Sequence, residues 1–187
     1  MQIQCDCGNF RAELTGLSKN TPGRLACYCD DCQSFAKKIN REDILDSFGG
    51  TEIIPVYPCE FKFIQGQEHL KCNLLTNKGL TRWTAECCNS PIANIRPKFP
   101  WVGVYHTAYT AHDAKFLSSL GMIRSRIMGK YKKGHPPFEI SDKLRLKDVL
   151  VVAPFLLKGF LLKKYKQSPF FKQDGHTPIM VPVKLNE

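Results

Sequence analysis

The chain is 187 residues long, with 43% apolar residues, 27 basic and 17 acidic side chains and a net charge of +10. That is enough material for one domain with a core of its own plus an appendage, and the absence of any internal repeat excludes a repeat architecture. The longest apolar run, Val149 to Leu162, is broken by Pro154, Lys158 and Gly159 and falls short of the roughly 20 residues that cross a bilayer.

From the N-terminus, Gln2-Ile3-Gln4 and Phe10 to Leu14 flank a turn that carries Cys5 and Cys7 in CDCG. Short strands are predicted at about 10–14, 24–28, 51–56, 60–64, 69–76, 80–86 and 92–96, punctuated by Gly, Pro and Asn. The second of these runs into CYCDDC, with Cys27, Cys29 and Cys32, and Asp30 to Lys38 then reads as a short helix capped by Asp30 or Asp31. Cys32 falls in its first turn, where the amide dipoles favour a thiolate. Gly49-Gly50 reads as a turn before Thr51. Asn77-Lys78-Gly79 reads as a hairpin connection that leads straight into the adjacent Cys87 and Cys88 of ECCNSP. The fold class is therefore mainly β, with two hairpin-like corners presenting thiols.

Residues after 105 read as a separate, more helical extension, with a helix beginning near Thr110 and a break at Gly134-His135-Pro136-Pro137. A second helix starting at Pro154, an acceptable first-turn position, would carry Phe155, Leu156, Leu157, Phe160, Leu161 and Leu162 on one apolar face beside Lys158, Lys163, Lys164 and Lys166. Such a stripe packs on its own domain or on a partner in a homodimer, with a membrane surface as the alternative. The tail from Ser168 is Pro-spaced and extended, and is expected to wrap the surface. Basic and acidic residues nearly balance up to Ile95, 10 against 11, while 17 face 6 after it. The excess, densest at Arg124, Arg126, Lys130, Lys132 and Lys133, is either a solvated face or a surface for nucleic acid or an acidic partner.

Seven of the nine cysteines stand in three tight groups. Zn²⁺ takes about four thiolate or imidazole ligands, and paired cysteines on tight turns supply them. The rival reading, a secreted disulfide framework, requires a leader that Met1 to Gly8 does not resemble, and leaves an odd thiol. Cys-x-Cys also gives too little chain for an ordinary bridge. A cytoplasmic location follows. Cys59 and Cys72 stand alone in strand-like stretches and read as buried filler. Of the histidines, His69, His135 and His176 read as ordinary residues, while His106 or His112 can complete a metal site from the following segment.

At these residues the chain resembles the glutathione-dependent formaldehyde-activating enzyme and centromere protein V family, whose pattern is Cys-x-Cys-Gly, then Cys-x-Cys-x-x-Cys, then a late Cys-x-x-Cys. CDCG matches the first element, CYCDDC the second, and RWTAECCNSPI resembles the third. The resemblance covers roughly residues 1–105, so 1–105 is expected as the zinc-binding β domain, a β-tent, and 106–187 as a basic, partly helical extension. It implies that Cys5, Cys7 and Cys88 hold a structural zinc and that Cys27, Cys29 and Cys32 hold a second, more labile one. The late element departs from the pattern: Ala85 stands where the family has its penultimate cysteine. The fourth structural ligand is then either Cys87 or a thiol of the middle group, and in the latter case the two sites merge into one.

Three thiols leave a zinc with an open position, able to polarise a carbonyl or bind a thiolate. A carbon-sulfur lyase-like reaction on a thiol adduct such as S-hydroxymethylglutathione is the expectation this supports, with Arg82 or Arg96 as clamps for the glutathione carboxylates. The alternative is a non-catalytic, zinc-stabilised binding module acting through the basic half.

Overall fold

The computed structural model describes residues 1–16, 21–76, 79–110 and 114–185. It is mainly β, with two sheets and a few helices, as the strand pattern predicts. β1 (Gln2–Gln4), β2 (Arg11–Leu14) and β5 (Phe61–Gln65) form a three-stranded antiparallel sheet in the order β1-β2-β5. The larger sheet has eight strands, ordered β10-β3-β4-β9-β8-β7-β6-β11. Its members are β3 (Leu25–Cys27), β4 (Thr51–Val56), β6 (Leu70–Leu74), β7 (Thr81–Ala85), β8 (Ser90–Ile95), β9 (Val102–Tyr105), β10 (Ser125–Ile127) and β11 (Val183–Lys184). The inner pairs are antiparallel, whereas β10 on β3 and β11 on β6 are parallel.

Register sorts the side chains of the large sheet by face, because directly paired residues point the same way. One cross-strand row is Ile54, Val104, Ala93, Trp83 and Cys72. All five are fully buried and pack with Ile3, Ala12 and Phe61 of the small sheet. This is the main core. The opposite face carries a different row, Pro55, Gly103, Asn94, Arg82 and Asn73. Two helices cover that face: α1 (Asp30–Lys38), which stacks Phe35 on Tyr105 at 5.9 Å between ring centroids, and α4 (Leu146–Leu161). Polar residues on a covered face are costly unless paired, so this is the side on which function is to be sought.

After β9 come α2 (His106–Thr110) and α3 (Ala114–Ser119), in the region where helix is expected. The hairpin residues Asn77 and Lys78 and the candidate ligand His112 lie outside the described residues. Three expectations need correction. The Asp30–Lys38 helix is capped by Cys29 rather than an aspartate: the Cys29 carbonyl accepts from the Cys32 and Gln33 amides, which puts Asp30 and Asp31 inside the first turn. The C-terminal helix starts eight residues before Pro154, at Leu146. Its start is set by Asp148, whose carboxylate accepts from the Arg145 amide at 3.0 Å and from the Ser125 hydroxyl. Its expected apolar face is divided: Phe155 is buried on Tyr57, with rings 4.1 Å apart, while Leu157, Phe160, Leu161 and Leu162 are exposed.

The tail is likewise more than a surface wrap, since Phe170 sits in the main core against Phe61, Phe63 and Trp83 at 4.8, 5.2 and 5.1 Å between ring centroids. Of the dense basic cluster, Arg126 lies over the Phe138 ring, Arg124 donates to the Pro22 carbonyl and Lys132 pairs with Asp142. Among the described residues no helix is long and apolar enough to cross a membrane.

Candidate metal centres

The seven clustered thiols resolve into two groups, Cys5 with Cys7, Cys87 and Cys88, and Cys27 with Cys29 and Cys32. In each, the sulfur atoms lie within 4.8 Å of one another. All nine cysteines are free of disulfides.

The first group closes two hairpin tips on each other. The β1–β2 turn brings Cys5 and Cys7 to 3.6 Å, and the β7–β8 turn brings Cys87 to 3.8 Å from Cys5 and 3.2 Å from Cys7. Cys87 and Cys88 are 3.9 Å apart at sulfur. A tetrahedral ion with bonds of about 2.3 Å spaces its sulfurs by about 3.8 Å, so four thiols at these separations fit one ion. Adjacent residues of a strand would face opposite ways, but β7 ends at Ala85. The following turn, with Asn89 at φ 55, lets Cys87 and Cys88 converge. Ala85 is fully buried in the main core, so the fourth thiol comes from Cys87 and the two groups stay separate.

Hydrogen bonds around this group suit thiolates. The Phe10 amide donates to Cys5 Sγ at 3.2 Å. Ser90 Oγ accepts from the Asp6 amide at 2.9 Å and from Arg41 at 3.4 Å, and lies 3.0 Å from Cys88 Sγ. With its lone pairs engaged, the hydroxyl gives its own hydrogen to the sulfur. Burial pushes the Cys88 thiol up, but the Ser90 hydroxyl and the Cys7 and Ser90 amides outweigh that and hold it at about 6. Burial raises Cys5. Arg41 also pairs with Asp6 and Asp43, both at 2.8 Å, tying the segment after α1 to this corner.

The second group sits where β3 passes into α1, half-buried on the covered polar face of the large sheet. Cys27 leaves the end of β3, Cys29 caps α1 and Cys32 lies in its first turn. Contacts from the Cys27 and Cys32 thiols, aided by the Cys32 amide and the Arg82 charge, hold Cys29 at about 3. Its neighbours move the other way, Cys27 to about 12 and Cys32 well above its ordinary value, chiefly through the same thiol contacts. The three thiols therefore titrate as one coupled unit.

Arg82 reaches toward this group from β7. Its side chain is only 4% exposed, lies over the Phe35 ring at 5.6 Å, and has Asp31 at 4.0 Å. A buried cation needs a nearby counter-charge, and three thiolates around a divalent ion would carry one net negative charge. The donor set thus fits a metal. Arg82 is buried under α1 instead of standing free as a clamp, whereas Arg96 is exposed at the mouth of a cavity of about 380 Å³ that Cys27 also lines.

His106 does not complete either group: its Nδ1 lies 3.2 Å from the Glu52 carbonyl oxygen, and no histidine joins the thiols among the described residues. Cys72 is buried filler, as its strand position predicts, and burial lifts it to about 12. Cys59 is half-buried. Ser90 follows Cys88 by two residues within the late element ECCNSP, whereas Arg41 carries no spacing signal in the sequence. Asn94 is visible only as a polar member of a predicted strand, and Tyr105 belongs to β9, an inner strand outside every stretch predicted from the sequence.

A family model described as a family of unknown function, DUF6151, matches residues 1–180. The chain belongs to the DUF6151 family. No curated protein matches this DUF6151 chain. Among solved structures it is similar to a Rhodobacter sphaeroides protein determined as a structural-genomics target, at 16% identity and a TM-score of 0.46, over 66% of this chain and 97% of that one.

Proposed function

We propose that this DUF6151 chain is a zinc protein of β-tent type with one structural and one open, reactive centre, acting as a carbon-sulfur lyase on thiol–aldehyde adducts. The observation that carries the reading is the partition of the thiols. Four close round a single point and leave no place for substrate, while three on the covered polar face leave one position free beside a buried arginine and a cavity. The resemblance of CDCG and CYCDDC to the formaldehyde-activating enzyme family supports the same division.

A zinc bound by three thiolates supplies a Lewis acid for a sulfur or oxygen of the substrate. The chain's own residues supply the rest. Cys27, Cys29 and Cys32 hold the ion, Arg82 offsets the charge of the thiolates from within the fold, and Arg96 stands exposed for a substrate carboxylate. In an adduct such as S-hydroxymethylglutathione the C–S bond breaks with its electron pair staying on sulfur. The hydroxyl loses its proton as the aldehyde forms, and a proton returns to sulfur to give the free thiol; the reverse steps make the adduct.

Metal content and cobalt substitution test the reading. The expected result is about two ions per chain, one removed by mild chelation, with Cys29→Ser losing only the labile ion and Cys87→Ser the tight one. S-hydroxymethylglutathione should then shift the visible bands of cobalt at the labile site. One ion per chain, or bands that ignore the adduct, would overturn it.

A further inference from the structure

The cavity beside Cys27 is a distinct chemical space. Its floor is the covered face of the large sheet: Leu25 and Ile53 are cross-strand partners, and Ser125 and Ile127 pair with Leu25 and Cys27. Its far wall is Trp101 with Phe99, and its roof is α4 through Val152, Ala153 and Leu156. Gly103 keeps the floor open, since a Cβ there would meet Asn94 Oδ1 at 2.7 Å, Ile53 Cδ1 at 3.0 Å and Trp101 Nε1 at 3.1 Å.

Polar groups in this lining are few. Asp148 is engaged by the Ser125 hydroxyl and the Arg145 amide, which leaves Arg96 as the cation in the lining, with no ion pair among the described residues. An engineered apolar cavity of about 150 Å³ holds benzene. A space of about 380 Å³ therefore takes on the order of a dozen non-hydrogen atoms. Cys27 on β3 and Asn94 on β8 are three strand spacings apart across the sheet and four residues apart along it, since Cys27 pairs with Thr51 and Asn94 aligns through Gly103 with Pro55; about 14 Å across and about 13 Å along place them roughly 19 Å apart. An extended chain of about a dozen atoms covers most of that span.

We infer that the cavity binds a single-chain aliphatic anion of medium length, of the fatty-carboxylate type, with its charged group at Arg96 and its chain lying along the sheet toward Cys27. Because the chain runs toward Cys27 of the three-thiol group, the ligand is the non-reacting body of that centre's substrate, a step that rests on the function proposed above. The preferred adducts are then those that carry a long aliphatic body.

Decanoate is the probe, titrated into the metal-loaded protein by calorimetry and by Trp101 fluorescence. Saturable binding is expected, weakening by about threefold or more for each methylene removed, with acetate inert. Val152→Trp, and independently Ala153→Phe in case the first disturbs folding, should fill the space and lower affinity at least about tenfold, while Arg96→Gln weakens decanoate but not decanol. Decanoate should also shift the bands of cobalt held by Cys27, Cys29 and Cys32. No binding, affinity independent of chain length, or indifference to both filling variants would overturn the cavity assignment even if two metals are present. Tight binding with unchanged cobalt bands would overturn the substrate role alone. A chain with one metal that still binds decanoate would sink the catalytic proposal and leave the cavity standing.

Discussion

Ser90 accepts hydrogen bonds from the Asp6 amide and Arg41, and so has one hydrogen left to offer Cys88 Sγ. It orients Cys88 Sγ from behind, the role that outer partners commonly play at metal sites. Ser90→Ala should therefore weaken metal retention at the four-thiol group by roughly 10- to 100-fold, read by competition with a graded chelator. Cys59→Ser, remote from both groups, should leave retention unchanged, and equal retention in the two variants would remove Ser90 from the centre. At this scale the sequence was informative about sulfur and silent about its support. Cys-x-Cys, Cys-x-x-Cys and the adjacent Cys87-Cys88 are local groupings on single turns, so all seven thiols were legible. Arg41 comes from a segment that carries none of the thiols, and Arg82 approaches the middle group from β7; only the fold brings each alongside. The choice of Cys87 over a middle-group thiol was illegible for a related reason, because it depends on where β7 stops.

Strands and helices show the same limit. Inner strands such as Thr51–Val56 and Thr81–Ala85 were read nearly to their ends, and so was Asp30–Lys38. Gln2–Gln4 was visible only as a flank of the CDCG turn, while β10 and β11 have three and two residues, too few to show any alternation. The start of α4 was misread because a proline at 154 has the look of a first-turn residue, whereas the cap that decides the matter is a buried Asp148 bonded to Ser125, 23 positions away. The same helix is seated by a glycine. A Cβ on Gly159 would come within 2.6 Å of Pro100 Cβ and 2.8 Å of Tyr57 Cε1. Alanine gains about 1 kcal/mol of helix propensity there, but crowding a packed contact costs about 1–3 kcal/mol. Gly159→Ala is accordingly expected to lower the melting temperature by about 2–4 °C, and a rise would mean that α4 sits less firmly on Tyr57 than these distances require.

Across the whole molecule, the division expected near residue 105 is bridged repeatedly. Strand β10 extends the sheet beyond β3, strand β11 extends it beyond β6, and Phe170 enters the core between the sheets. The resemblance that stops near residue 105 made the second half look like an attachment, because cysteine motifs record where a metal can sit and say nothing about which backbone groups remain to be paired. A chain ending at Tyr105 would leave both β3 and β6 with open edges, the kind of surface that templates association between molecules. Such a fragment should elute as large assemblies on gel filtration, while the 187-residue protein does not, and a monodisperse fragment would show that the first 105 residues are self-sufficient. The arrangement also bears on manufacture in the cell. A ribosome delivers the sheet's two outermost strands after the six they flank, so the young polypeptide passes through a sticky stage before it is finished, and its survival rests on the speed of the last 80 or so residues or on a chaperone that shields the gaps.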